Sequence, residues 1–453
     1  MRRSTTATAD YGRTASFLAI GVGLTGVITY VYFFIASHVL SKPDYGQITV
    51  LWSAVFITIS TLYRPVEQLL SRHISEHLVK GEAIRGTTRN AATIQLGLAM
   101  LFAVLALALR GPIQDDLLEG NETLYWVYFS AVLFYAASYF ARGFLAGVKR
   151  FGLFTALILS ESCFRTLFAA LVAVSLLEGQ SAVAIGIVAA PSLSLMVVPL
   201  AFARRARTAP AAAPAAKGAS VSVAHGTGFA AGVLVIMFSE QAFLNAGPLV
   251  VRALDGAAAA GFIFNVLMLA RAPLQLFQAV STSILPHLTG LHTSEEPGSE
   301  DEFHRSVRVV LLGILAFTAL MALIVLVAGP QLMQLAFSKK FSYDRAELLV
   351  VAAGTGLYLS SVTVNQACVA QGQVRRAAAR WIACAALFVG WNFVPLVGDE
   401  FHRVEIGFTL AAAVLFGLLY LIYRRPRERA EDVPAPGSPE ELEMQLAAVD
   451  ENT

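Results

Sequence analysis

The chain reads as an all-α polytopic membrane protein with twelve transmembrane helices in two six-helix bundles, both termini cytoplasmic. Three observations predict this. Hydrophobic residues make up 56% of the 453 positions and charged ones 14%, with a mean hydropathy of +0.64. Apolar runs of twenty or more residues recur from near the start to the basic tail, long enough to cross hydrocarbon as helices. Lys and Arg are sorted onto alternate connections between those runs. In lipid every backbone polar group must be satisfied within the fold, which leaves helices or a closed barrel. Barrel strands are about ten residues of alternating polarity. These runs are too long and too uniformly apolar for strands.

Run length and the punctuating Gly, Pro and charged residues place the first six spans at Thr14–Leu40, Gly46–Leu70, Asn90–Leu109, Thr123–Ala146, Phe151–Leu177 and Ser181–Ala203. Six more follow at Gly226–Val251, Ala258–Ile284, Val307–Val327, Ala346–Ala370, Ala377–Val397 and Ile406–Tyr423. Arg2, Arg3 and Arg13 precede a first run longer than a signal-peptide core, so that run is expected to stay as a span.

Of the 33 basic residues, 23 fall on one set of connections, 7 on the other (Lys42, Arg110, Arg252, Lys339, Lys340, Arg345 and Arg403), and Arg64, Arg165 and Arg271 inside spans. The richer side, which includes Arg142, Lys149 and Arg150, is the cytoplasmic one, and an even number of spans follows. The Pro/Ala-rich stretch from Thr208 to Ser222 reads as a cytoplasmic linker, residues 204–225, between bundles spanning 1–203 and 226–423. Residues 424–453 read as a disordered cytoplasmic tail. Cys163, Cys368 and Cys384 lack metal-type spacing and read as small core residues.

The halves resemble each other. Sliding Gly46 onto Gly261 lays the first two spans over the seventh and eighth, and Ala146–Arg150 after the fourth span matches Gln371–Arg375 after the tenth as a Gly-containing basic turn. Such repeats are common in secondary transporters, with the substrate site at their interface.

Ionisable groups inside a span cost about 2.5 to 3.5 kcal/mol each, so every one needs a partner or a wet cavity. They are Arg64 and Glu67 in the second span, Glu161 and Arg165 in the fifth, Glu240 in the seventh and Arg271 in the eighth. Arg64 with Glu67 and Glu161 with Arg165 are three and four residues apart, so each pair can share a helix face and neutralise itself. Alternatively the guanidiniums line a cationic chamber suited to phosphate, with Arg271 beside Pro273 marking a broken helix. Gln241, Asn245, Asn265, Asn365 and Asn392 add hydrogen-bonding capacity for sugar hydroxyls, or serve as interhelical clamps. The candidate substrate-binding residues are therefore Arg64, Arg165, Arg271, Gln241 and Asn245, with Glu161 and Glu240 as candidate coupling carboxylates.

No Gly-rich phosphate loop ending in Lys-Ser/Thr and no paired-His zinc motif occurs, so no catalytic residue, metal or cofactor is expected. The Asp115–Asp116 pair reads as loop charge, and Asn121–Glu122–Thr123 is a sequon on the outer side.

The entry Leu40-Ser41-Lys42-Pro43-Asp44-Tyr45-Gly46, the Arg64 to Arg72 exit and the Gly-basic turns after the fourth and tenth spans resemble those of the polysaccharide flippases. These belong to the multidrug/oligosaccharidyl-lipid/polysaccharide exporter (MOP) superfamily. The resemblance runs over residues 10–425 and implies two six-helix bundles around a central cavity that opens alternately to each side. It implies as cargo an isoprenoid-diphosphate-linked oligosaccharide, moved across the inner (cytoplasmic) membrane for cell-surface polysaccharide. Partners would be that lipid-linked oligosaccharide, membrane lipid, and the glycosyltransferases and polymerase of the same pathway, with no nucleic acid. Arg165 and Arg271 are the candidates for the family's cationic cavity residues. The lipid II branch usually carries further spans after the twelfth, and their absence points away from it. Two rivals remain: a cation-coupled exporter of small drugs with the same fold, and a non-transporting scaffold for a polysaccharide synthase.

Overall fold

The computed structural model describes residues 2–197, 199, 223–268, 299–341, 343–394 and 400–424. The first half comprises α1 (Arg2–Val39), α2 (Lys42–Leu62), α3 (Arg64–Lys80), α4 (Arg85–Ala108), α5 (Glu122–Gly147), α6 (Phe151–Ala173) and α7 (Gly179–Ser194). The second comprises α8 (Val223–Asp255), α9 (Ala257–Met268), α10 (Ser299–Phe337), α11 (Arg345–Ala370), α12 (Val374–Trp391) and α13 (Glu400–Tyr423). Each of the twelve expected spans has a helix, and nine of the candidate spans among the described residues are long and apolar enough to cross a membrane. The expected linker and tail lie almost wholly outside the described residues. Helix α8 begins at Val223, inside the stretch assigned to the linker.

Local chemistry sets the helix starts. Ser41 caps α2 by accepting the Asp44 amide at 3.2 Å, with Pro43 in the first turn, where its missing N–H costs nothing. Asn121 caps α5 through the Leu124 amide at 3.1 Å, so the sequon asparagine is engaged as a cap. Asp344 and Glu347 form a capping box at the start of α11. Asp115 and Asp116 lie on a short π-helix, Pro112–Leu117, rather than in an irregular loop.

The second span departs from expectation. Expected as one helix over Gly46–Leu70, it breaks at Tyr63, and α3 runs on to Lys80. Pro65 has no N–H to give the Thr61 carbonyl, so the ladder fails there and restarts with the Glu67 amide on the Tyr63 carbonyl at 3.0 Å.

Helices α1–α7 pack among themselves, with α6 between α1 and α7 and α5 against α3 and α7. Helices α8–α13 form a second packed group, in which α11 lies against α10 and α13, and α12 against α8 and α13. Small residues set the closest approaches. A Cβ on Gly143 would stand 2.7 Å from the Glu67 carbonyl oxygen, and one on Gly147 would stand 2.7 Å from the Ile74 side chain, so α3 and α5 meet on a Gly-x-x-x-Gly face. Helices α4 and α10 present Leu96, Met100, Val104, Leu312, Leu315 and Val327 outward, as lipid-facing helices should.

Two sequence expectations need correction. Cys368 and Cys384 are buried, but Cys163 is exposed on the outer surface of α6, a position that lipid solvates without cost. The two Gly-basic turns are alike in geometry but not at the glycines that suggested it. In the second half Gly372 takes the left-handed conformation (φ 76°), and the Gln373 amide bonds the Cys368 carbonyl at 2.9 Å. In the first half that conformation belongs to Lys149 (φ 57°), with the Arg150 amide on the Leu145 carbonyl at 2.8 Å. Both are helix-ending turns of one kind. Gly147 instead lies within α5, packed on α3.

Candidate functional site

The first half holds a buried polar cluster between α1, α2, α5 and α6. Glu161 and Arg165, one turn apart on α6, are both buried. They do not neutralise one another. Glu161 accepts from Ser138 and pairs with Arg142, both on α5. This corrects the placing of Arg142 on a cytoplasmic connection: its side chain is only 15% exposed and its guanidinium covers the Tyr139 ring at 4.6 Å. Its position within the Thr123–Ala146 span was a legible signal, outweighed by nearness to the span end.

With Glu161 taken, Arg165 has no carboxylate at salt-bridge distance among the described residues. Its guanidinium donates to Thr29 Oγ1 at 3.2 Å, Ser162 Oγ at 3.3 Å and Tyr135 Oη at 3.4 Å. It lies 4.4 Å from the Trp52 ring centroid and 5.9 Å from that of Tyr32. Among the described residues its Nε has no hydrogen-bond partner. Aromatic faces and hydroxyls can hold a cation without cancelling its charge. Gly186 of α7 fixes the site from behind, because a Cβ there would come within 2.9 Å of the Arg165 carbonyl oxygen.

A second cluster sits at the α2–α3 break, where Arg64 and Glu67 are both partly exposed. Arg142, Arg64 and Glu161 all act electrostatically on Glu67. Across the interface, Glu240 of α8 is partly exposed and lies within the field of Arg64, and both charges reach Tyr358 of α11. The Arg64 charge is thus felt by carboxylates of both groups. Among the described residues no ion pair at salt-bridge distance joins Arg64 to Glu67.

Gln241 and Asn245 are buried on α8, where Asn245 Nδ2 donates to the Gln241 carbonyl at 3.2 Å and to its Oε1 at 3.1 Å. Asn365 accepts from Trp381 Nε1 at 3.0 Å, an interhelical clamp. Arg271 and Pro273 lie outside the described residues. The aromatic rings around the cations, Trp52, Tyr135 and Tyr139, escaped sequence reasoning because an aromatic at helical spacing is ordinarily core.

Among the described residues, contacts joining the two groups gather toward the outer end assigned by the charge sorting, with the Tyr30 hydroxyl donating to the Met268 carbonyl deeper in the membrane. Tyr45 donates to Asn265, whose Nδ2 donates to Tyr343 at 2.9 Å. Lys340 donates to the Leu40 and His38 carbonyls at 2.7 and 3.2 Å. Arg252 pairs with Glu119 at 3.4 Å, and the Phe33 and Phe264 rings lie 4.6 Å apart. The outer face is shut.

No family model matches the chain, and no curated protein matches it. Solved structures do. A multidrug resistance MATE family transporter of the MOP superfamily in an inward-facing conformation superposes with a TM-score of 0.67 at 12% identity, over 90% of this chain and 97% of that one. The chain has the fold of MATE transporters. An outward-facing member of the MOP superfamily gives 0.63 at 12% identity over 97% of both chains. A Vibrio cholerae MATE transporter mutant gives 0.55 at 14% identity, over 92% of this chain and 97% of that one.

Proposed function

We propose that this chain is an alternating-access membrane transporter whose cargo is an isoprenoid-diphosphate-linked oligosaccharide, carried between leaflets of the cytoplasmic membrane. The fold supports transport, and the cluster of contacts between the halves at the outer end supports a state closed to the outside. The observation that favours an anionic cargo is Arg165, a buried guanidinium held by hydroxyls and rings with no carboxylate at salt-bridge distance among the described residues. Its charge remains available to a diphosphate when the helices part. Arg64 at the α2–α3 break supplies a second cation, and Arg271 a third. Gln241 and Asn245 would meet sugar hydroxyls. The lipid tail stays in the bilayer, so the protein supplies a polar path and two access states and needs no covalent step. Glu161 and Glu240 are the proposed coupling groups. Membrane potential alone offers about 2.3 kcal/mol per charge moved through 100 mV.

A second reading, a cation-coupled exporter of small drugs, has the partly exposed carboxylates Glu67 of α3 and Glu240 of α8 in its favour, together with the multidrug description of the similar solved structures. Proteoliposomes separate the two. In vesicles loaded with a fluorescent short-chain isoprenyl-diphosphate disaccharide, the wild type should accelerate flipping at least tenfold over Arg165→Ala. Ethidium efflux without glycolipid movement would replace the first reading by the second. Vesicles inert to both would leave the scaffold role.

A further inference from the structure

A cleft of about 860 Å3 opens on the outer face beside the closed gate, lined by Lys42 of α2 and, from the second half, by Asp255, Phe262, Asp344, Arg345, Glu347 and Phe401, with Phe341 and Tyr343 in its wall. Its size suits an organic ligand of several rings. Its composition narrows the class. Two cations and three carboxylates share the lining, so neither an anion nor a cation finds a field of one sign. Five charged groups also exclude a purely apolar occupant. What fits alternating donors and acceptors is a neutral polyhydroxylated molecule, whose hydroxyls give and take hydrogen bonds.

The polar groups differ in how far they are committed. Asp344 accepts the Ala346 amide at 2.9 Å, and Glu347 accepts the Asp344 amide at 3.3 Å and faces His402 Nε2 at 3.5 Å. Lys42 and Arg345 are exposed and have no carboxylate at salt-bridge distance among the described residues. The Lys42 ammonium lies 5.8 Å from the Phe341 ring. Phe262 and Phe401 are partly exposed, their ring centroids 4.8 Å apart at 60°, and Phe262 stacks on Tyr343 at 5.0 Å. A fixed aromatic corner of this kind matches the apolar face of a pyranose ring.

The sequence carries a separate sign. Positive charge is scarce on the outer side, yet of the seven basic residues there Lys42 and Arg345 line this cleft, and Lys340 ties its rim to the first half through the Leu40 carbonyl.

We infer that this cleft is an outer saccharide-binding site, which receives the carbohydrate portion of the cargo after it has crossed. It rests on the oligosaccharide reading for its ligand class, but on the cleft's own residues for its existence. Because Lys42 belongs to one half and the remaining lining residues to the other, the occupied cleft ties the two halves together and favours the outer-closed state.

The test is saturation-transfer NMR on the full chain in nanodiscs, with maltotetraose, cellotetraose and chitotetraose as lipid-free probes. At least one is expected to give signals with the wild type that fall fivefold or more in Lys42→Ala and in Phe401→Ala and persist in Arg165→Ala. Lys42 is exposed, so its variant should fold. Absence of signal from all three at 10 mM, or equal signals in Lys42→Ala and Phe401→Ala, overturns the site. The two proposals fail separately. Loss of glycolipid flipping in Arg165→Ala with no saccharide signal removes this site and keeps the cargo reading. Saccharide signals from a protein that flips no glycolipid do the reverse.

Discussion

Gly46 of α2 and Gly261 of α9, the two residues that superpose when one half is slid onto the other, touch each other in the folded chain. A Cβ built on Gly261 would stand 3.1 Å from the Gly46 Cα, and one built on Gly46 would stand 1.8 Å from the Ala257 carbonyl oxygen. Equivalent positions of a repeat can meet in this way only near the axis that relates its copies. The helices cross backbone to backbone at the outer gate, with Tyr45 and Asn265 bonded on either side of the contact. Neither glycine has an unusual φ, so space is what the position requires.

Replacing Gly46 by Val should therefore open the outer gate rather than unfold either half. A Cβ cannot fit 1.8 Å from a carbonyl, and the nearest relief is separation of α2 from α9. With cysteines placed at His38 and Lys340, whose backbone carbonyl and ammonium meet at 3.2 Å, cross-linking by a short bis-maleimide should be efficient in the parent and fall several-fold with Gly46→Val. Unchanged cross-linking would show that the contact does not hold the gate.

The Arg142–Glu161 pair makes a sharper energetic prediction. Removing the cation alone leaves a buried carboxylate with Ser138 as its remaining partner, a loss on the order of 3 to 5 kcal/mol, whereas replacing both members by apolar groups of like volume is often neutral. Arg142→Met should lower the melting temperature of the purified protein by several degrees, and adding Glu161→Leu should recover most of the loss. A double variant no better than the single one would mean that the pair's geometry, and not its charge balance, is what α5 and α6 need.

How much of this was legible beforehand follows the physics of each signal. Where the residues are described, helices stand at the expected spans, because hydrocarbon demands continuous apolar helices and the charge sorting reports on their connections. Pro65 inside the second span was equally visible, yet the break needed Pro read against the Thr61 carbonyl rather than by apolarity. Partners were beyond reach. Spacing said that Glu161 could meet Arg165, but whether it does depends on Arg142 of α5 arriving opposite, a tertiary fact that one sequence cannot display. The Lys149 turn shows the converse, since a correct likeness was inferred from glycines that hold different positions in the two turns.

Arg165 offers a test of charge against shape. Lysine keeps the charge but not the planar fork that reaches Thr29, Ser162 and Tyr135 while lying over Trp52. If the guanidinium recognises a diphosphate, Arg165→Lys should leave thermal stability close to the parent and cut glycolipid flipping roughly tenfold, a factor worth about 1.4 kcal/mol. Full activity in Arg165→Lys would reduce the site to a point charge. Full activity in Arg165→Ala would remove it from the cargo path.

Lys149 supplies a prediction in the opposite direction, toward greater stability. It takes φ 57° at the end of α5, where an L side chain crowds the following carbonyl at a cost of roughly 1 to 2 kcal/mol, while its counterpart in the second half, Gly372, carries no such strain. The Lys149 side chain is exposed, so little packing is lost with it. Glycine also frees the unfolded chain, which offsets part of the gain. Lys149→Gly should therefore raise stability by about 0.5 to 1 kcal/mol in reversible unfolding by denaturant, with transport unchanged. The charge lost is one of many on the cytoplasmic side, so orientation should survive, as protease access to the tail would show. A fall in stability would mean that Lys149 contributes an interaction at the membrane surface large enough to outweigh the strain of its backbone.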